Sequence, residues 1–295
     1  MTEIPEPEPR APDGSGSRDG HLREPGRPRR PRRLAAPRLL PDLAPPFILG
    51  ADLAGTVVDG DGPFALGTRV AGLAPWFVNQ EGTYAEVVSI DPAHLAEIPD
   101  GVDDITAAAV PITAETAWQS LDLGGLEAGQ TVLVTGASGA IGGWAVQHAA
   151  GRGAKVVAVA SNGDEKYVEG LGADIVLGRA GDAGELAAAV RKSVPGGVDL
   201  VVDPAGIGGD LIHAVRDGGV FVVIAVVPEP AAERGVEVRR VSAQSDGALL
   251  AQILADLADG KKKARVGLTL PAHRGGRGAP EERGEVGAGK IVLTV

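Results

Sequence analysis

One segment constrains this chain more than any other. An apolar run at 131–135 enters the turn Gly136-Ala137-Ser138-Gly139-Ala140-Ile141-Gly142-Gly143, and a helical pattern follows directly. Glycine spacing of this kind between a strand and a helix has a physical use. Gly136 permits the tight turn, Gly139 lets backbone approach a pyrophosphate, and Gly142 lets the helix pack closely on the strand. The anion would rest on free N–H groups at the helix start, with Ser138, Ala140 and Ile141 lining the turn. A glycine triplet alone is weak evidence for dinucleotide binding. Here it stands in the required strand–turn–helix context, at the head of an alternating series.

That series fixes the fold class. Apolar strand runs at 131–136, 155–161, 174–178, 198–203 and 219–226 alternate with helical patterns near 141–152, 164–171, 182–193 and 208–216. The strands are apolar throughout rather than every second residue, as expected for a parallel sheet covered on both faces. The expected class is α/β with a doubly wound parallel sheet. Upstream, short glycine-punctuated runs at 47–58, 67–73 and 82–90 read as strands of a small barrel or sandwich. Residues 104–121 read as two helices parted at Pro111. Downstream, 246–260 has helical spacing, and 261–270 and 289–295 read as strands. The expected organisation is an aberrant segment over 1–46, a partial barrel unit over 47–120, a dinucleotide unit over 121–246 and a return to the first unit over 247–295.

Composition narrows the chemistry. Aromatics are 3% of 295 residues against 44% hydrophobic overall, so the core must be aliphatic. There is no Cys. That excludes disulfides, a thiol nucleophile, iron–sulfur clusters and thiolate-bound zinc. The five His are scattered without paired ligand spacing, so no metal site is expected. A net charge of −11 disfavours general binding to nucleic acid or anionic membranes. Apolar runs are strand-sized and the N-terminus has no apolar leader core, so a cytoplasmic protein without membrane spans is expected. Residues 1–46 hold eleven Pro and nine Arg, which argues for a solvated, mostly disordered segment rather than a nucleic-acid arm.

The cofactor variety is argued from the end of the second strand. An acid there would bond the ribose hydroxyls of NAD. This chain has Ser161, which tolerates a 2′-phosphate, and Lys166 is near enough to pair with one. Asp164 and Glu165 argue the other way. NADPH is the expected cofactor, with NADH the alternative.

Several stretches together resemble the medium-chain dehydrogenase/reductase superfamily, and within it the zinc-free quinone oxidoreductase branch. They are "PFILGADLAG", "GTYAEVV", "VPITAETAW", "VLVTGASGAIG", "LGAD" and the terminal "GKIVL". The resemblance covers roughly 47–266 and the last seven residues. It implies a GroES-like barrel domain around a Rossmann domain, and hydride transfer from NADPH to a quinone or conjugated enone without zinc. Zinc members carry a Cys and a Gly-His-Glu run; this chain reads Gly50-Ala51-Asp52. The short-chain dehydrogenases share the glycine turn but need Tyr-x-x-x-Lys, which neither Tyr84 nor Tyr167 supplies. By resemblance, Thr116 matches a threonine beside the nicotinamide. Ala205 and Gly206, and Ala225 to Val227, would line the nicotinamide side of the crevice. Asp203 is expected as a strand-end cap, Tyr84 as barrel core, and Trp76 with Phe77 either walls the substrate pocket or packs a loop. No catalytic acid is identifiable. Members of the family are often dimers, so the resemblance allows a homodimer without fixing the oligomeric state. Alternative readings are a cofactor-binding protein with little turnover, and an enoyl reductase of polyketide or fatty-acyl synthesis.

Two regions depart from the family pattern. Residues 10–38 and about 272–288 lose it abruptly and are rich in Arg, Gly and Pro, as an out-of-frame reading of a GC-rich gene would be. If they are genuine, the barrel lacks its first strands.

Overall fold

A computed structural model describes residues 48–60, 62–76, 81–224, 227–272 and 288–295. The segment 10–38 and most of 272–288 lie outside the described residues, as do Phe77, Ala225 and Val226.

The centre is a six-stranded, wholly parallel sheet. Its strands are β4 (Thr131–Val134), β5 (Lys155–Val159), β6 (Ile175–Leu177), β7 (Val198–Asp203), β8 (Val215–Val223) and β9 (Glu237–Arg240), in the order β6-β5-β4-β7-β8-β9. The order reverses at β4, so a crevice opens at the carboxyl ends of β4 and its neighbours. Strand side chains alternate between faces. Val132, Val134, Val156, Ala158, Leu200 and Val202 therefore join one buried cluster, and Leu133, Val157, Val159, Val201, Phe221 and Val223 the other. With both faces buried, each strand reads as a continuous apolar run.

Helices cover both faces. On one side lie α2 (Pro111–Leu123), α3 (Ala140–Gly151) and α6 (Gly247–Ala258); on the other lies α5 (Ala183–Ser193). Two further helices are short, α1 (Asp104–Ala108) and α4 (Glu165–Glu169). Pro111 occupies the first turn of α2, where its missing N–H costs nothing, and so separates α2 from α1. The α2–α3 contact holds three of the few aromatic rings: His148 lies between Trp144, stacked at 5.4 Å, and Trp118, edge-on at 5.0 Å. Burial, with help from the Lys262 and Arg152 charges, pushes His148 down to about 3, so the ring packs as a neutral group.

The remaining strands make two small sheets. β1 (Asp52–Thr56), β2 (Arg69–Leu73) and β3 (Leu95–Glu97) pair antiparallel, and β10 (Val266–Pro271) pairs parallel with β11 (Lys290–Thr294). Among the described residues these five strands do not close into one barrel. α6 docks on β3 through Gly247, where a Cβ would stand 2.4 Å from the Leu95 carbonyl oxygen.

Four expectations are corrected. The helical pattern at 208–216 is a 3-10 turn, Gly209–Ala214, followed at once by β8. Gly208 and Gly209 at φ of +57° and +52° cannot start an α-helix. Residues 82–90 form no strand; only Thr83 N–H to the Gly50 carbonyl and Tyr84 N–H to the Leu49 carbonyl tie this run to 49–50 among the described residues. Tyr84 is not barrel core: its ring lies over Gly50 and is 55% exposed. The sheet has a sixth strand, β9, whose three charged residues, Glu237, Arg239 and Arg240, suit an exposed edge.

Candidate functional site

The site is built from four loops that leave adjacent strand ends. In sheet order these follow β6, β5, β4 and β7, and they line a cleft of about 780 Å3.

The glycine turn forms the floor. Gly136 adopts φ +58°, and its Cβ position faces Ala205 at 3.3 Å. Gly139 is the N-cap of α3 and offers no side-chain cap, so the first N–H groups of the helix, at Ala140, Ile141 and Gly142, have no intrahelical acceptor. Gly142 is required by packing. A Cβ there would stand 2.2 Å from the Gly136 carbonyl oxygen and 2.9 Å from the Ala137 Cα. Gly136, Ser138, Gly139, Ala140, Ile141 and Gly142 all line the cleft. A helix start with free N–H groups and no side chain over it fits a pyrophosphate.

The loop after β5 is fastened to this turn. The Ser161 N–H donates to the Ser138 hydroxyl at 2.9 Å, and the Ala160 N–H bonds the Leu177 carbonyl of β6. Ser161 lines the cleft, and so does Arg179 from the loop after β6. The Arg179 Nη2 donates to the Ser161 hydroxyl at 2.7 Å. A guanidinium and a hydroxyl thus meet at one end of the cleft, a donor set suited to a phosphate. Lys166, named from sequence for that task, stands exposed on α4 and does not line the cleft. Arg179 was missed because it lies 18 residues beyond Ser161. The available signal was topological: in a doubly wound sheet the third strand flanks the second, so a basic residue at its carboxyl end comes beside Ser161.

At the other end, Pro204, Ala205 and Ile207 follow β7. Asp203, fully buried, organises that loop. It accepts from the Thr135 hydroxyl at 2.5 Å and the Gly208 N–H at 2.9 Å, and the Ala205 N–H bonds Thr135 Oγ1 at 3.2 Å. With both oxygens engaged, Asp203 is a strand-end cap. Ala205 is in the cleft; Ala225 lies outside the described residues. Thr116 is buried in α2 and does not line the cleft, whereas Thr113, one turn earlier, does. Thr113 spends its hydroxyl proton within the helix, on the Ala109 or Val110 carbonyl. Trp76 donates its ring N–H to the Ile48 carbonyl at 2.7 Å and lies outside the cleft lining. Among the described residues lining the cleft, Arg179 and Asp182 are the charged ones, and Asp182 caps α5 through the Glu185 N–H.

A zinc site does not fit these residues. Asp52, at the Gly-His-Glu position of zinc members, accepts from Lys290 and from the Ile112 N–H. Among the described residues no three His, Asp or Glu side chains gather as a metal site. No helix among them is long and apolar enough to cross a membrane.

Comparison with known proteins agrees with the geometry. The family model described as "Zinc-binding dehydrogenase" matches residues 140–246. The chain is 42% identical over 131 residues to erythronolide synthase EryA2 of Saccharopolyspora erythraea, covering 43% of this chain but only 4% of that synthase. Among solved structures, a probable oxidoreductase from Mycobacterium abscessus is 31% identical, with a TM-score of 0.69 over 86% of this chain and 82% of that one. The mycobacterial protein Rv1454c complexed with NADPH is 25% identical, with a TM-score of 0.72 over 86% and 84%. The reversal of strand order at β4, the glycine turn on its carboxyl end and likeness along most of the described length converge, and the chain belongs to the medium-chain dehydrogenase/reductase superfamily.

Proposed function

We propose that this protein is an NADPH-dependent, zinc-independent oxidoreductase that transfers hydride to a quinone or conjugated enone. The observation that carries the reading is the Arg179–Ser161 pair at the cleft end, where NAD-specific sites place an acid. The likeness to a protein solved with NADPH supports it. The bound dihydronicotinamide would supply the hydride. The chain's own part is to bind and orient. The N–H groups of Ala140, Ile141 and Gly142 hold the pyrophosphate, and Arg179 with Ser161 holds the adenosine 2′-phosphate. Pro204, Ala205 and Ile207 give the far end an apolar wall that excludes water. Rate enhancement would come from positioning, with developing enolate or quinol charge met by N–H groups or water.

A second reading, reduction of an enoyl thioester, is favoured by the likeness to a stretch of erythronolide synthase. Both readings deliver hydride to a double bond conjugated with a carbonyl. One experiment tests both: turnover of NADPH and NADH against a quinone, an enone and a crotonyl thioester, with and without EDTA. The proposal expects NADPH oxidation that survives EDTA and is fastest with quinone or enone. Fastest turnover of the thioester moves the assignment to the second reading. Cofactor binding without turnover of any acceptor points to a protein that only binds cofactor. Loss on chelation, restored by Zn2+, sinks the zinc-free claim.

A further inference from the structure

Arg265 precedes β10, 127 positions away from the glycine turn, yet it closes over the back of it. Its Nη1 donates to the Ser138 carbonyl at 3.1 Å, and its Nη2 pairs with Asp164 at 2.9 Å. Its guanidinium plane lies over the Tyr167 ring, 4.3 Å from the centroid. Both terminal nitrogens and the guanidinium face are thus engaged, and both ion-pair partners are half-buried, at 24% and 19% exposure. The Arg265 bond, with a further one from the Ser138 hydroxyl, holds the Asp164 carboxyl below the usual carboxylate range. Ser138 Oγ is also the acceptor for the Ser161 N–H. Ser138, Ser161, Asp164 and Arg265 are therefore one cluster behind the phosphate end of the cleft.

Asp164 is the anomaly in that cluster. It lies three residues after Ser161, close enough to Arg179 to feel its charge. An unneutralised carboxylate there would repel a 2′-phosphate and offer Arg179 a competing partner. We propose that Arg265 is a positioning residue for cofactor choice: by engaging Asp164 from behind, it leaves Arg179 facing the cleft and so sets the preference for a 2′-phosphorylated dinucleotide. The inference rests on the NADPH reading above. Arg265 does not line the cleft; it acts through Asp164 and the Ser138 carbonyl.

The test is a double-mutant cycle read by dinucleotide titration. NADPH and NADH affinities are measured by nicotinamide fluorescence on the full chain and on Arg265→Gln, Asp164→Asn and the double variant. Melting curves confirm that each folds. Arg265→Gln is expected to weaken NADPH about tenfold or more, through one unmasked like charge, and NADH by less than about threefold. Asp164→Asn alone should keep NADPH binding, and in the Arg265→Gln background it should restore most of it. A purely structural role for Arg265 would weaken both cofactors alike and would not be rescued. If Arg265→Gln fails to fold, Arg265→Lys takes its place. It keeps the charge beside Asp164 but cannot reach both partners, and should lose NADPH affinity about threefold, with the same rescue. Unchanged selectivity in the variants, or no rescue, overturns the role of Arg265. A parent chain that binds NADH as tightly as NADPH overturns the cofactor reading itself, and the role with it.

Discussion

Lys290, in β11, pairs with Asp52, in β1, and the other Asp52 oxygen accepts the Ile112 N–H at 2.7 Å. One buried carboxylate thus joins β1, β11 and the start of α2. Burial pushes the Asp52 carboxyl up, and the Lys290 charge opposes that shift. Asp52 is 8% exposed, so water cannot replace the ammonium.

Removing Lys290 alone should be costly. Lys290→Met leaves a buried, uncompensated carboxylate and is expected to lower stability by about 3–5 kcal/mol. The double change Lys290→Met with Asp52→Asn should recover much of the loss. Urea denaturation of the three chains checks this. Equal losses in the single and double variants would show that the pair is not what holds β11 to β1.

The sheet was legible in the sequence because burial on both faces makes each strand apolar throughout. Val132, Leu133 and Val134 belong to two different clusters yet read as one run. The glycine turn was legible because backbone conformation and close packing demand Gly136 and Gly142. What escaped notice depends on contacts between distant residues. Arg179 becomes a cleft residue through the adjacency of β6 and β5, and Arg265 reaches the back of the glycine turn through the return of the chain after α6. Lys166 was nearer in sequence to Ser161, but α4 carries it outward. The run Tyr84–Ile90 has strand-forming residues, but beyond Tyr84 no ladder partner appears among the described residues. β9 was missed for the opposite reason, since an edge strand needs no apolar run.

The glycines of the turn should separate by variant. Gly142→Ala places a methyl group against backbone atoms of Gly136 and Ala137, which cannot move independently of the turn. It is expected to cost about 1–3 kcal/mol and to abolish dinucleotide binding. At Gly139 the φ of −82° suits any residue, and a Cβ meets the Gly136 oxygen at 3.2 Å. Gly139→Val should therefore shift the melting temperature less while still blocking the pyrophosphate space. Thermal melts with NADPH titration of both variants decide the matter. NADPH binding by Gly139→Val at parental affinity would place the pyrophosphate elsewhere.

Arg179 and Lys166 give a direct contrast. Arg179→Ala should weaken NADPH about 10- to 100-fold, since a charge-assisted phosphate contact is lost, and change NADH little. Lys166→Ala should leave both affinities within about twofold, because an exposed charge is screened. Raising the salt should narrow the NADPH–NADH gap in the parent and leave it unchanged in Arg179→Ala. A larger effect at Lys166 would mean that α4, rather than the loop after β6, meets the phosphate.

Glu115 makes stability depend on pH in an unusual direction. It is fully buried in α2, with Oε1 accepting the Asp246 N–H at 3.3 Å. Burial first, then the Asp52 and Asp246 charges, push its carboxyl up to about 8 against that bond. In the unfolded chain the same group ionises near its ordinary value of 4.5. Between these values the folded chain keeps a proton that the unfolded chain has given up. The contribution of Glu115 is thus fully present below about pH 4.5 and falls as pH rises toward 8, by up to about 1.4 kcal/mol per pH unit. Glu115→Gln keeps an oxygen for the Asp246 N–H and removes the titration. The variant should therefore gain on the parent as pH rises, by about 3 kcal/mol between pH 5 and pH 7.5. Urea denaturation of both chains at pH 5, 6, 7 and 7.5 measures the difference. A gap that stays constant across this range would mean that Glu115 is already ionised in the folded protein.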